Sequence, residues 1–329
     1  MLCCKHSTHL GAQQHLEAGL RYSCPSVCHV DRGQDITNEE SETGRARKQR
    51  RSAACESVAV GVARALRGRQ PHRAPLDAFV PGVMIGRIFV GTAGWSLPRA
   101  DQGQFASEGT HLVRYAQTMT GVEINSSFYR PHALQLYCKW AAATPDGFRF
   151  SVKMPKTITH EKRLLHCDEL LCAFLDQVHG LGERLGCILI QLPPSFEYDA
   201  SQAGAFFEMI RALYDGPLAL EPRNSSWFTR DANRLLVNCD VARVAADPAR
   251  IAAAATPGGT PGLAYFRLHG SPRIYWSRYD DQYLDNLSTL IANVAQQAKA
   301  VWCIFDNTAS GSAIPNALGI AARLAELIR

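Results

Sequence analysis

From residue 84 onward, short β-branched and aromatic runs alternate with stretches whose apolar residues recur at helical spacing. This alternation predicts parallel strands joined by crossover helices. The predicted strands are Arg87–Gly91, Gly121–Asn125, Phe148–Lys153, Cys187–Gln191, Leu218–Glu221, Val241–Ala246, Ala264–His269 and Val301–Asp306. The predicted helices are Glu108–Met119, Leu134–Ala142, Asp168–His179, Ala203–Tyr214, Asp231–Asn238, Asp281–Ala298 and Ala313–Ile328. Residues 248–262 are rich in Ala, Gly and Pro, so the sixth helix is predicted to be short or absent.

Eight strand–helix units predict an α/β fold of the TIM-like (β/α)8 barrel type, irregular at the sixth helix. Neither a G-x-G-x-x-G loop nor a Walker-type lysine loop occurs, so we expect no nucleotide cofactor. The sequence also lacks a run of about 18 apolar residues, which a membrane-spanning helix needs. The six cysteines after residue 83 are scattered through predicted elements and indicate a reducing, cytoplasmic location.

Residues 1–83 differ from the rest of the chain in composition and periodicity. They contain 12 Lys and Arg against 8 Asp and Glu, so they carry most of the net charge of +5. We expect this basic, Cys- and His-containing segment to be a disordered extension, or to lie upstream of the true translation start at Met84. The second predicted domain, residues 84–329, is nearly neutral and gives little electrostatic reason to expect nucleic-acid binding.

Polar or charged residues stand at the C-terminal end of every predicted strand, and in a barrel these ends converge on one mouth. Glu123, Glu221, His269 and Asp306 are the predicted catalytic residues. The same four are candidate ligands for a divalent metal, because carboxylates and imidazoles serve both purposes. Cationic groups there can hold an anionic substrate, and aromatic rings can stack on sugars or cover strand ends. The predicted substrate-binding residues are Thr92, Trp95, Asn125, Tyr129, Lys153, Gln191, Arg223, Trp227, Arg267 and Asn307.

A set of short motifs occurs in a specific order along this part of the chain. They are Gly91-Thr-Ala-Gly-Trp95, Glu123-Ile-Asn-Ser-Ser-Phe-Tyr129, Phe150-Ser-Val-Lys153, Gln191-Leu-Pro-Pro194, Glu221-Pro-Arg223-Asn-Ser-Ser-Trp227, Tyr265-Phe-Arg267-Leu-His269 and Phe305-Asp306-Asn307. In combination they resemble the YecE-like family, the domain of unknown function numbered seventy-two. The resemblance covers about residues 85–329 and implies a TIM-like barrel, comparable in fold to sugar isomerases and to endonuclease IV-type metal enzymes.

Three functions are compatible with these features. The first is an isomerase- or hydrolase-like enzyme that acts on a small polar, sugar-like or phosphorylated molecule in the barrel mouth. The second is a non-catalytic barrel that binds a metabolite at the same place. The third is an endonuclease IV-like nucleic-acid repair protein, which the near-neutral charge and the single strand-end histidine, His269, make less favoured. The enzyme is the leading prediction.

Overall fold

The structure is a computed structural model that describes residues 85–328, and the leader predicted at residues 1–83 lies outside the described residues. The strands are β1 (Arg87–Thr92), β2 (Gly121–Ile124), β3 (Arg149–Lys153), β4 (Leu185–Gln191), β5 (Leu218–Glu221), β6 (Val241–Arg243), β7 (Ala245–Asp247), β8 (Gly258–Gly259), β9 (Leu263–Leu268) and β10 (Ala300–Phe305). The α-helices are α1 (His111–Ala116), α2 (Leu134–Ala142), α3 (Asp168–Val178), α4 (Ala200–Leu213), α5 (Arg230–Asn238), α6 (Asp281–Ala295) and α7 (Ala313–Leu327).

The predicted alternation of strands and helices is confirmed, with small differences at the ends. Helix α1 is shorter than predicted, because the hydroxyl of Thr110 accepts a hydrogen bond from the amide of Val113 and so begins the helix at His111. The sixth crossover contains a short 3₁₀ turn, Ala252–Ala255, and the two-residue strand β8. A short or absent helix was the prediction there, and it is confirmed.

The strands form two sheets, ordered β1-β10-β9-β7 and β2-β3-β4-β5-β6-β8, and β6–β8 is the antiparallel pair. The fold is therefore α/β with parallel sheets, but the predicted complete barrel is not closed. The predicted strand 241–246 is divided at Val244, and its two parts pair with β5 in one sheet and β9 in the other. Between β1 and β2 the described chain has a single backbone bridge, Ala93–Glu123.

Side chains replace the missing backbone ladder between β1 and β2. The hydroxyl of Tyr115 accepts from the amide of Thr92 at 2.9 Å and donates to the carbonyl of Gly121 at 3.2 Å. The hydroxyl of Thr120 accepts from the amide of Val90 at 2.8 Å. A β-carbon on Gly91 would lie 1.9 Å from the carbonyl oxygen of Gly121, so this junction requires glycine at position 91. The two sheets are thus joined at this edge by side chains and a close backbone approach.

The apolar core has two parts, which lie on opposite faces of the sheets. The larger part lies between strands and helices and includes Val122, Phe150 and Ile320. The smaller part includes Tyr265 and Trp302, whose rings stack with centroids 6.0 Å apart. Glu123 contacts the second part through the hydroxyl of Tyr265 and also pairs with Arg267, so these charged residues adjoin the smaller apolar cluster. Within residues 85–328, no helix combines the length and apolar character needed to cross a bilayer.

Candidate functional site

A fully buried arginine holds three carboxylates at the C-terminal ends of the strands. The guanidinium of Arg267 donates to both oxygens of Glu123, from Nη2 to Oε1 at 2.8 Å and from Nε to Oε2 at 2.9 Å. It also lies 3.2 Å from Oε2 of Glu221 and 3.1 Å from Oδ2 of Asp306. With His269 these residues form what we call the Arg267 cluster. Its members come from both sheets, since Arg267 lies on β9 and Glu123 on β2.

His269 connects two of these carboxylates through its two ring nitrogens. Nδ1 lies 3.0 Å from Oδ2 of Asp306, and Nε2 lies 2.9 Å from Oε1 of Glu221. Arg223 approaches the same point, with Nη2 2.7 Å from Oε1 of Glu221 and 3.0 Å from Nε2 of His269. A chain of carboxylate, imidazole and carboxylate can move a proton between its ends, and Asp306 fixes the orientation of the ring.

Two carboxylates of the Arg267 cluster, Glu221 and Asp306, are held in their ionised form. Burial alone raises the pKa of Glu221, but Arg223, Arg267 and His269 outweigh it and hold that pKa well below its usual range. Burial likewise raises the pKa of Asp306, and Arg267, His269 and Lys153 bring it below its usual value. Both side chains are therefore bases in the folded protein near neutral pH.

Lys153, the last residue of β3, is 5 % exposed and lies beside the Arg267 cluster. Burial and the positive charge of Arg267 lower the pKa of Lys153, and Glu123, Glu221 and Asp306 raise it. The net result is a pKa of about 8. The ammonium lies 4.1 Å from the centre of the Phe128 ring, a cation–π contact. Among the described residues it makes no ion pair, which distinguishes it from Arg267.

A cavity of 390 Å³ opens beside the Arg267 cluster, and we call it the mouth cavity. Its lining includes Arg223, Asn224, Arg250, His269 and Ile274. His269 and Arg223 thus border the mouth cavity on one side and touch Glu221 on the other. The buried Nε of Arg223 has no hydrogen-bond partner among the described residues, so a donor remains for a ligand. This volume and this mixture of polar and apolar walls suit a small polar ligand.

The predicted metal ligands do come together, but in an arrangement that does not fit a metal ion. Within residues 85–328, no three His, Cys, Asp or Glu side chains converge as metal ligands. The guanidinium of Arg267 occupies the position between Glu123, Glu221 and Asp306. A divalent cation there would meet a fixed positive charge. This arrangement does not favour a metal site formed by Glu123, Glu221, His269 and Asp306, and metal binding there stays a prediction.

Four predicted substrate-binding residues have structural partners instead. Trp227 is fully buried in the outer core, and its indole donates to the carbonyl of Phe196 at 3.0 Å. Trp95 packs edge-on against Trp140 with ring centroids 5.0 Å apart. The remaining two bind neighbouring loops and helices, namely Thr92 at Tyr115 and Asn307 at Ser277 and Asn316. Sequence position placed these residues after strands, but the side chains point into packing or hydrogen-bond networks.

The other predicted binding residues lie around the Arg267 cluster or at its rim. Gln191 pairs in register with Glu221. Asn125 follows β2, and its buried Oδ1 has no partner among the described residues. Tyr129 is 68 % exposed at the rim, in edge-on contact with Phe128. Their roles in substrate binding stay predictions.

The strand-end pattern did not indicate two residues beside Glu123, namely Tyr265, which holds its carboxylate, and Ser151, which contacts Tyr265. The hydroxyl of Tyr265 lies 3.1 Å from Oε2 of Glu123 and 3.0 Å from the hydroxyl of Ser151. Ser151 lies two residues before Lys153, so the two side chains share one face of β3. Period-two alternation along β3 and β9 is the signal that could have identified Ser151 and Tyr265, because each precedes a predicted site residue by two positions.

The loops that follow Lys153 and His269 contain unusual backbone. A π-helix runs from Thr157 to Glu161, and such turns are frequent at functional sites. Arg163, Leu164 and His166 in the same loop have φ angles of 50°, 64° and 47°. Tyr275, in the loop after β9, has a φ of 68° and a ring centroid 5.8 Å from that of His269. Left-handed conformations cost non-glycine residues roughly 1–3 kcal/mol each and concentrate at functional sites, which agrees with a site at these strand ends.

Comparisons with known proteins agree with this architecture. The chain is 36 % identical over 110 residues to the UPF0759 protein YecE of Escherichia coli (strain K12), which covers 33 % of this chain and 39 % of that protein. It is 24 % identical over 261 residues to the UPF0759 protein YunF of Bacillus subtilis (strain 168), which covers 70 % of this chain and 92 % of that protein.

Two crystal structures of DUF72 family proteins superpose on the described fold at 25 % sequence identity. The protein from Enterococcus faecalis gives a TM-score of 0.63 and covers 72 % of this chain and 95 % of its own. The protein from Thermotoga maritima gives a TM-score of 0.61, and the match covers 73 % of this chain and 99 % of that protein's chain. Residues 89–328 match the family described as "Protein of unknown function DUF72". Because this match extends over most of the sequence, the chain belongs to the DUF72 family.

Proposed function

We propose that the protein is an enzyme that transfers protons on a small polar, sugar-like or phosphorylated molecule held in the mouth cavity. One observation carries this proposal: His269, oriented by Asp306 and linked to Glu221, borders a 390 Å³ cavity. An imidazole fixed between two carboxylates and open to a ligand cavity is an arrangement suited to general acid–base catalysis.

The cavity wall favours an anionic or polyhydroxylated ligand. Arg223 and Arg250 supply positive charge, and the partnerless Nε of Arg223 can donate to a phosphate oxygen. We also propose that the two sheets act together as an incompletely closed TIM-like barrel. Arg267 of β9 and His269, which directly follows that strand, contact Glu123 and Glu221 of the other sheet, so both sheets contribute to one set of strand ends.

The chemistry follows from the positions of these groups. Arg223 holds the anionic part of the substrate. Once the substrate displaces the contact between Nε2 of His269 and Glu221, Nε2 removes a proton from a carbon next to a carbonyl and leaves an enolate. Asp306 stabilises the imidazolium that results. In a 2-hydroxy carbonyl substrate the ring then returns the proton to the former carbonyl carbon, while the proton of the adjacent hydroxyl passes to the former carbonyl oxygen. A general base in this position contributes about 10²–10⁴ in rate.

Proton transfer of this kind exchanges carbon-bound hydrogen with solvent, so we would follow deuterium incorporation in D₂O by ¹H NMR. Ribose 5-phosphate and glucose 6-phosphate are the probes, and the full chain is the enzyme. We expect incorporation next to the carbonyl with the native protein and a loss of at least about 10²-fold with His269→Gln. His179→Gln is the matched control, because His179 is exposed and follows α3 at the opposite end of the strands.

Each result has a definite meaning. Equal incorporation by the native protein and by His269→Gln would refute the role of His269. Thermal stabilisation by both sugar phosphates without any deuterium incorporation would instead identify a metabolite-binding protein. Exchange that survives in His179→Gln but not in His269→Gln would support the proposal.

A further inference from the structure

Lys153 is buried but lacks the partner that a buried lysine normally has. Its ammonium contacts the Phe128 ring at 4.1 Å, and within residues 85–328 it forms neither a hydrogen bond nor an ion pair. Lys156, three residues further along, is 45 % exposed and lies 3.2 Å from Glu161. A buried amine without an ion pair at salt-bridge distance costs stability, and amines of this kind concentrate at functional sites.

The surroundings of Lys153 favour the free amine far more than solvent does. Burial and Arg267 lower its pKa to about 8. At pH 7 an amine with this pKa is about 300 times more often neutral than an ordinary lysine. Charge–charge interactions with Arg267, Glu123, Glu221 and Asp306 affect the pKa of Lys153. The charge of Lys153 in turn lowers the pKa of His160.

We propose that Lys153 is a nucleophile that captures the substrate covalently as an imine. This inference rests on the proposed function and narrows its substrate class to molecules that carry an aldehyde or ketone. Nζ attacks the carbonyl carbon, and one of its two protons passes to the carbonyl oxygen to give a carbinolamine. The hydroxyl then leaves as water while the nitrogen loses its remaining proton, so amine and carbonyl become imine and water.

The site is suited to both stages of this reaction. After it takes up one proton, the imine carries the same single positive charge as the ammonium that it replaces. The cation–π contact with Phe128 and the attraction to the carboxylates of the Arg267 cluster are therefore the same before and after imine formation. Extension of the β2–β3 register places Asn125 beside Lys153, and its buried Oδ1 has no partner among the described residues. That oxygen can accept a hydrogen bond from the carbinolamine hydroxyl.

The test is reductive trapping with the full chain, ribose 5-phosphate and sodium cyanoborohydride. Mass spectrometry of a digest then locates the reduced adduct, which is stable because hydride has been added to the imine carbon. At pH 7 we expect Lys153 to be modified more than about tenfold faster than Lys156 within the same molecule, and the preference to shrink by pH 10 as both amines become neutral. Lys153→Arg should abolish the preferred adduct, and Lys156→Arg should retain it.

The competition within native protein keeps the test decisive even when Lys153→Arg does not fold. Modification of Lys153 no faster than that of Lys156 at pH 7 would overturn the proposal. If the native protein nevertheless incorporates deuterium, the proposed function stands without the imine. A preferred adduct at Lys153 without deuterium incorporation would support the imine site and refute proton transfer, so the two proposals fail separately.

Discussion

The contact between Arg267 and Glu123 offers the most direct test of how the site is built. In Arg267→Met the guanidinium is lost while an apolar side chain of similar length fills the space. Glu221 would keep Arg223 and His269 as partners at 2.7 and 2.9 Å, and Asp306 would keep His269 at 3.0 Å. Glu123 would keep the hydroxyl of Tyr265 at 3.1 Å and no cation within salt-bridge distance in the described chain. The penalty therefore falls on Glu123.

The size of that penalty follows from burial and distance. Both side chains are at most 1 % exposed, and their two hydrogen bonds measure 2.8 and 2.9 Å. Loss of one partner of a buried ion pair costs about 3–5 kcal/mol. We expect Arg267→Met to lower the free energy of unfolding by this amount. In the Arg267→Met/Glu123→Gln double variant no unpaired carboxylate remains at position 123, so the loss should be smaller than the sum of the single variants by about 2–3 kcal/mol.

Urea unfolding at pH 7 of the native protein, both single variants and the double variant measures this coupling. Arg323 and Asp285 provide a matched control, since their side chains are in contact at 2.5 Å but are 23 % and 57 % exposed. The same cycle with Arg323→Met and Asp285→Asn should give about 0.2–1 kcal/mol. A coupling for Arg267 and Glu123 that does not exceed the control value would refute the argument that this buried pair organises the site.

Three further predictions concern acid stability, the core and the junction between the sheets. The pKa values of Glu221 and Asp306 are lower in the folded protein than in the unfolded chain, so the unfolded chain binds more protons below about pH 4.3. The urea midpoint should therefore decrease as the pH is lowered from about 5 to about 3. A midpoint that stays constant or rises over this range would contradict the prediction. Trp227→Phe removes a buried hydrogen bond and should lower the free energy of unfolding by about 1–3 kcal/mol. The affinity for ribose 5-phosphate, measured by calorimetry, should not change. Weaker binding would indicate that Trp227 contributes to ligand binding. Gly91→Ala forces a β-carbon against the carbonyl oxygen of Gly121 and should lower the free energy of unfolding by at least about 1–3 kcal/mol. The control is Gly103→Ala, which should change thermal stability little because the space around Gly103 is open.

Local patterning explains which parts of the fold the sequence predicts. The strands and helices were predicted to within a few residues because apolar periodicity acts over short distances, as in Leu134–Ala142 and Leu218–Glu221. The open junction was not predicted, because it depends on the hydroxyl of Tyr115 reaching two strands. Pairing between distant segments is not visible in local patterning.

The candidate site shows the same division. Position at strand ends correctly gathered Glu123, Glu221, Arg267, His269 and Asp306 into one cluster. It did not reveal that the guanidinium of Arg267 lies between Glu123, Glu221 and Asp306. Position along the chain also could not show that the ammonium of Lys153 lacks an ion-pair partner in the described chain. A lysine that pairs with a carboxylate would look the same in the sequence. These distinctions depend on side-chain packing between elements that lie far apart in sequence.

That separation in sequence has a consequence for folding kinetics. The contacts between Arg267 and Glu123 close a loop of 144 residues, and each residue belongs to a different sheet. Loop closure of this length follows the formation of local strand–helix units, so the contact forms late. Substitutions in the Arg267 cluster should therefore accelerate unfolding while leaving the rate of folding almost unchanged. The residues that organise the site would then act mainly on the lifetime of the native state.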